Sequence, residues 1–172
     1  MQKAAFFILA AGLLFSGNVL AQHQHPAPYA GEQSRSIKAL SAADVDGYLN
    51  GRGMGLAKAA ELNGYPGPMH ALELGEKLKL TANQKADIQQ FFDRMHEEAV
   101  RLGKQVVEKE TSLDRQFATR EVTPGSLEKT LAELADLQAR LRQTHLQAHL
   151  ATRRVLSDEQ VTAYNQLRGY TK

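Results

Sequence analysis

Apolar side chains recur at alternating intervals of four and three residues through the middle of the chain. They fall at Ile88, Phe92, Met95, Ala99, Leu102 and Val106. This spacing places them on one stripe of an α-helix that packs against a partner helix. Thr81 and Gln84 stand in front of the stripe with the spacing of a capping box, so the pattern predicts a long helix from there to about Arg120.

A second stripe follows the short turn over residues 122–125. It runs Leu127, Leu131, Leu134, Gln138, Leu141, His145, Ala148 and Thr152. Thr123 suits an N-cap and Pro124 suits the first helical position, so a second long helix is predicted from there to about Leu156. Since the connection is short, the two long helices should lie antiparallel.

Shorter helices are predicted on both sides of this hairpin, and no segment alternates as a strand would. The predicted fold class is therefore all-α: a long antiparallel helical hairpin with flanking shorter helices, expected to dimerise. The predicted organisation is a signal peptide at 1–21, a flexible tail at 22–40, short helices with Gly/Pro-rich turns at 41–67, and the hairpin domain at 68–172.

The first 21 residues have the three parts of a secretory signal. Lys3 supplies the positive charge, residues 4–15 are almost entirely apolar, and Val19 and Ala21 suit the −3 and −1 positions of a cleavage site. The apolar run is too short to cross about 30 Å of hydrocarbon. We therefore predict cleavage, export to the bacterial periplasm, and a mature chain that does not span the membrane.

The composition argues against several classes of function. With 21 basic and 19 acidic residues the net charge is only +2, which argues against a nucleic-acid partner. The chain has no cysteine, which excludes disulfides, thiol catalysis and iron–sulfur clusters.

The catalytic motifs are incomplete. The sequence HEEAV at 96–100 begins like a zinc-protease helix, but Val100 stands where the second histidine is needed. The GRGMG run at 51–55 resembles a dinucleotide loop but follows no predicted strand. We therefore predict that the protein is not an enzyme and requires no cofactor.

Histidines offer a candidate metal site. His145 and His149 lie one helical turn apart. A hairpin turning near residues 120–123 brings Met95 and His96 level with them, and folding the preceding helix back brings His70 near. Imidazole and thioether donors suit Ni, Co, Cu or Zn. The alternative is that these histidines are ordinary core or surface residues.

Apolar and basic residues also flank the first stripe. They are Phe91, Val100, Val107, Phe117, Arg94 and Arg101. A surface that mixes apolar area with positive charge suits adaptable capture of other chains. The same residues could equally form a dimer interface or a solvated exterior.

One short pattern occurs twice and brackets the hairpin. Leu80, Thr81 and Gln84 match Leu156, Ser157 and Gln160 as L-[TS]-x-x-Q. Two copies around a helical hairpin resemble the LTxxQ group of bacterial periplasmic proteins, which includes the Spy and CpxP chaperone-like proteins and the CnrX-type heavy-metal resistance sensors. The resemblance covers about residues 68–170. The sequence departs from the pattern at Ser157, which replaces threonine, but the serine hydroxyl can still cap a helix.

The resemblance implies a dimeric, all-helical, non-enzymatic protein of the envelope stress response. Its expected partners are unfolded or misfolded periplasmic proteins, bound without ATP, or a sensor protein. Periplasmic heavy-metal binding and sensing is the first alternative, and a purely structural dimeric helical module is the second.

Overall fold

The computed structural model describes residues 27–170 of the chain. The predicted signal peptide lies outside the described residues. The chain divides into two compact units, Met1–Gly31 and Glu32–Lys172. In the first, the described residues form a turn closed by a hydrogen bond from the Ala30 N–H to the Ala27 carbonyl (2.8 Å).

The second unit is built from helices, and no strand occurs between residues 27 and 170. A 3₁₀ turn at Glu32–Ser34 precedes α1 (Ala42–Leu49), α2 (Lys58–Glu61), α3 (Pro68–Glu73), α4 (Ala82–Ala118), α5 (Pro124–Val155) and α6 (Asp158–Arg168). The all-α prediction and the long hairpin are confirmed. The structure shows one copy of the chain, so the dimer stays a prediction.

The long helices α4 and α5 pack side by side around an apolar cluster. Its buried members are Ala99, Leu102, Val106, Leu134, Leu137 and Leu141. Near the turn, the Gln116 amide donates to the Thr130 hydroxyl (3.3 Å), and Lys109 pairs with Glu133 across the two helices. These contacts fix the antiparallel register.

The stripe predicted on α5 drifts in the half nearest the turn. Leu131 is 48% exposed and Gln138 is exposed, whereas Thr130 and Leu137 are buried. A helix with 3.6 residues per turn rotates by about 20° per heptad relative to a strict seven-residue repeat. Over the two heptads from His145 back to Leu131 this rotates the predicted positions by about 40°, towards the edge of the buried stripe, whereas Thr130 and Leu137 lie within it.

An N-terminal segment, residues 32–67, packs against one face of the hairpin. Tyr48 and Leu56 contact the apolar cluster between α4 and α5. Gly103 permits the closest approach, since a Cβ atom there would lie 2.1 Å from the Tyr48 carbonyl oxygen. The hairpin alone buries only one stripe per helix, so this segment adds a third layer.

Residues 32–40 differ from the predicted flexible tail. Ile37 is buried, and Lys38 bonds Asp114 through both its backbone N–H (3.0 Å) and its ammonium group (3.3 Å). One apolar side chain and one ion pair attach this stretch to the helical body, a pairing that its polar composition does not reveal.

Candidate functional site

The two copies of the repeated motif meet at the open end of the hairpin. Thr81 and Ser157 are the N-caps of α4 and α6, and each hydroxyl accepts the backbone N–H of the glutamine three residues later (3.2 Å in both). In return, the Gln84 and Gln160 Oε1 atoms accept the Thr81 and Ser157 N–H groups at 3.0 and 2.9 Å. Both capping boxes are therefore complete.

The side-chain amides of the two glutamines also pair with each other. Gln84 Nε2 donates to Gln160 Oε1 (2.8 Å) and Gln160 Nε2 donates to Gln84 Oε1 (3.1 Å). Each amide has a second N–H, which Gln84 donates to the Val155 carbonyl (2.7 Å) and Gln160 to the Leu78 carbonyl (3.2 Å). Each motif thus begins its own helix and satisfies a carbonyl just before the other motif.

Beneath the paired amides lies a second apolar cluster. It contains Ala71, Leu78, Leu80, Ile88, Leu156, Val161 and Tyr164. The leucines of both motifs, Leu80 and Leu156, are buried here. The repeated motif therefore joins α3, α4, α5 and α6 into one structural unit.

A half-buried carboxylate, Glu61, ties the N-terminal segment to this end, and sequence reasoning missed it. The Tyr164 hydroxyl donates to Glu61 Oε1 (2.6 Å), and the Gly67 N–H donates to Glu61 Oε2 (3.2 Å). Burial, with the neighbouring carboxylate, raises the pKa of Tyr164 well above its usual range. Nothing in the spacing of Glu61 and Tyr164, 103 residues apart, signals this pairing.

The five predicted metal ligands, His70, Met95, His96, His145 and His149, all line one cavity of about 370 Å³. The hairpin supplies four of them and α3 supplies His70. The rest of the wall comes from the N-terminal segment, Pro68, Met69 and Phe92. We call this space the histidine cavity.

His145 is the most deeply placed of the five. Its side chain is 3% exposed, and its Nε2 atom is buried without a hydrogen-bond partner among the residues that the structure describes. Burial, together with the nearby His149 and His96, lowers the pKa of His145 from 6.5 to about 4. The imidazole is therefore neutral at ordinary pH.

His149 is held in one orientation. Its Nδ1 lies 2.8 Å from the Tyr65 carbonyl oxygen, which can only accept, so in the neutral ring Nδ1 carries the proton and Nε2 has a free lone pair. Glu61 Oε2 lies 3.6 Å from the same Nδ1. Gly67 leaves room for the ring, because a Cβ atom there would lie 2.9 Å from His149 Cε1.

The other two histidines are more accessible. His96 is exposed and stacks on Phe92, with ring centroids 5.6 Å apart. His70 Nδ1 is bonded to Glu73 Oε2 at 2.9 Å. Within residues 27–170, no group of three or more histidine, aspartate or glutamate side chains is arranged to hold a metal ion. A site here would need a different third ligand.

The predicted client-binding residues are divided between two flanks of α4. Phe91 and Arg94 line an open groove between α4 and α5, with the Arg94 guanidinium 5.6 Å from the Phe91 ring centroid. Val100 lies on the opposite flank beside Gly51. Val107 follows Val100 by one heptad and shares its flank.

The remaining two predicted client residues lie outside that groove. Arg101 is bound to Glu98 on the groove side of α4, through its Nε at 2.7 Å. Phe117, 55% exposed, lies near the end of α4 by the hairpin turn. The structure thus brings only part of the predicted face together.

The comparisons agree with this architecture. A family model described as LTXXQ motif family protein matches residues 68–168, the stretch that contains α3 to α6. Neither a curated protein nor a solved structure matches the chain significantly. Among the described residues, no helix has the length and apolar character needed to cross a membrane.

The matched stretch covers both motif copies and the paired glutamines that join them. The family is one of periplasmic, non-enzymatic proteins. With more than half of its length matched, the chain belongs to the LTXXQ motif family.

Proposed function

We propose that the protein is a periplasmic, Spy/CpxP-like accessory that binds exposed segments of unfolded or misfolded proteins without ATP. The observation that carries this proposal is the open groove between α4 and α5, about 330 Å³, which we call the α4–α5 groove. Its walls are formed by Phe91, Arg94, Met95, Glu98, Thr144, Gln147, Ala148 and Ala151.

The groove combines the contacts that unfolded chains offer. Phe91, Met95 and Ala148 supply apolar area for aliphatic or aromatic side chains. Arg94 is exposed at the rim and can pair with acidic residues of a client. Small apolar contacts with a charged rim favour weak, exchangeable binding, which suits a chaperone that releases clients without an energy source.

Export to the periplasm is part of this proposal. It is supported by the signal-like pattern over residues 1–21 and by the family. A homodimer is also proposed, because exposed apolar side chains remain on both long helices at Phe117 and Leu131. Sedimentation of the mature chain tests it: the mass of a monomer at all concentrations would reject the dimer.

Suppression of aggregation tests client binding. The mature protein, mixed with a chemically denatured client at low molar ratio, should reduce light scattering in the absence of ATP. Arg94→Glu, which changes an exposed charge and leaves the core intact, should weaken that effect, and Phe91→Ser should weaken it further.

A matched control separates the groove from general surface apolarity. Leu150→Ser removes a 44% exposed apolar side chain of α5 that does not line the groove, so it should retain full suppression. No suppression by the wild-type protein would reject the chaperone function. Cross-linking to one sensor protein instead would point to the regulatory form of the family.

A second candidate function is binding of a transition metal, and the histidine cavity favours it. Four histidines and two methionines line this cavity, and one of its imidazole nitrogens is buried and unpaired among the described residues. Calorimetric titration with Ni, Co, Cu and Zn tests it. Stoichiometric binding that disappears in a His145→Ala/His149→Ala variant supports this function, and absence of binding below about 1 mM rejects it.

A further inference from the structure

We propose that the histidine cavity holds one monovalent copper ion, bound by His145 Nε2, His149 Nε2 and the Met95 thioether. This inference rests on the second candidate function, metal binding, and names its ion and its ligands.

The imidazoles of His145 and His149 can each offer an Nε2 lone pair to a metal ion. His149 donates Nδ1–H to the Tyr65 carbonyl (2.8 Å), which leaves the lone pair of Nε2 free. Metal-bound histidines commonly use this arrangement, in which a backbone carbonyl fixes the tautomer and the ring orientation. Tyr65 and His149 are 84 residues apart in the sequence, so the tertiary fold, and not α5 alone, orients this ring.

His145 supplies the second nitrogen. A buried polar atom without a partner is costly and calls for an explanation, of which a bound ion is one. Its Nε2 is such an atom among the described residues, on a side chain that is 3% exposed and lines the cavity. The two rings lie on one face of α5, one turn apart.

The third donor decides which ion fits. No aspartate or glutamate lines the histidine cavity in the part of the chain that the structure describes. Within that part, no third histidine and no carboxylate is arranged with this pair to hold a metal ion. Two methionines line the cavity, and we assign the soft sulfur to the half-buried Met95, because Met69 is 45% exposed.

Two imidazole nitrogens and a thioether suit a soft ion of low charge. Thioether ligands select Cu(I), whereas Zn and Ni are bound well by imidazole without sulfur. An ion of charge +1 also needs less neutralisation in a cavity without acidic residues. The chemistry therefore favours Cu(I) over the divalent ions.

The test is an anaerobic titration of the metal-free mature protein with Cu(I), in competition with a chromophoric Cu(I) chelator. Parallel titrations use Zn and Ni. We expect one Cu(I) per chain, bound at least a hundredfold more tightly than either divalent ion. X-ray absorption of the Cu(I) complex should show nitrogen and sulfur in the first coordination sphere.

Three variants test the ligand set. Met95→Leu should lower Cu(I) affinity at least tenfold and leave Zn affinity within twofold. Met54→Leu, a methionine that does not line the histidine cavity, is the matched control and should bind like the wild type. Gly67→Ala removes no donor atom but places a Cβ 3.1 Å from His149 Nε2, so it should also weaken Cu(I) binding.

The possible outcomes separate this inference from the function on which it rests. Tight binding of Zn or Ni with weaker Cu(I) binding would overturn the inference and leave metal binding intact. A Cu(I) complex without sulfur, or one unchanged by Met95→Leu, would overturn the ligand assignment. Absence of binding by all three ions would overturn both.

Discussion

Replacing Gln84 by glutamate distinguishes a local role of the motif from a tertiary one. In an isolated capping box, glutamate and glutamine are equivalent at this position. A carboxylate near the N-terminus of α4 would even gain about 0.3–1 kcal/mol from the helix dipole. A purely local motif therefore predicts that Gln84→Glu is neutral or slightly stabilising.

The structure predicts instead that Gln84→Glu destabilises the protein. Glutamate retains the acceptor for the Thr81 N–H but loses both donated hydrogen bonds, at 2.7 Å to the Val155 carbonyl and 2.8 Å to Gln160 Oε1. Each lost hydrogen bond costs about 1 kcal/mol net, and a carbonyl left without a partner costs about 1–3 kcal/mol. After the gain from the dipole, we expect Gln84→Glu to lower the free energy of unfolding by about 2 kcal/mol.

Urea denaturation followed by circular dichroism at pH 7.5 measures this loss. Acidification to about pH 4 protonates part of the carboxylate, which restores one O–H donor, so the difference from the wild type should shrink. Gln90→Glu is the matched control, because it makes the same change on an exposed position of the same helix. A Gln84→Glu protein as stable as the wild type at pH 7.5 would refute the amide pairing.

Three further predictions concern the buried groups. Tyr164→Phe removes the donor to Glu61 (2.6 Å) and should lower the free energy of unfolding by about 1–3 kcal/mol in urea denaturation; a loss too small to measure would count against the hydrogen bond between Tyr164 and Glu61. Leu102→Ala, at a fully buried position, should cost about 2–5 kcal/mol, and a smaller loss would mean that this cluster is not the hairpin core. Burial lowers the pKa of His145 from 6.5 to about 4, so the unfolded chain takes up the proton first as the pH falls. With a chelator present, the free energy of unfolding should fall by about 3 kcal/mol between these pH values, and His145→Gln should lack this part of the pH dependence.

The sequence predicts the helices well because their signals are local. The capping residues Ser41, Thr81, Thr123 and Ser157 all cap the helices that follow them. Each signal lies within one helical turn of the backbone groups that it satisfies, so no knowledge of the fold is needed.

The buried stripe of α5 is predicted less well. A constant seven-residue repeat selects Leu131 and Gln138, whereas the straight helix buries Thr130 and Leu137. The error grows away from His145, as the drift of a 3.6-residue helix requires.

The histidine cavity combines a feature that the sequence predicts with one that it does not. Antiparallel register alone predicts that Met95 and His96 lie level with His145 and His149, and all four line one cavity. The free lone pair of His149 is not predictable in this way, because it depends on the carbonyl of Tyr65, which comes from a distant turn.

The helices, their caps, their antiparallel order and the family can all be predicted from the sequence, since they depend on residues close together along the chain. The folded structure is needed to see how the two motifs join through the Gln84 and Gln160 amides, which carbonyls they satisfy, and how Glu61 binds Tyr164. Those contacts connect residues 76 and 103 positions apart. Their partners are chosen by the packing of whole helices, which no periodicity within one helix encodes.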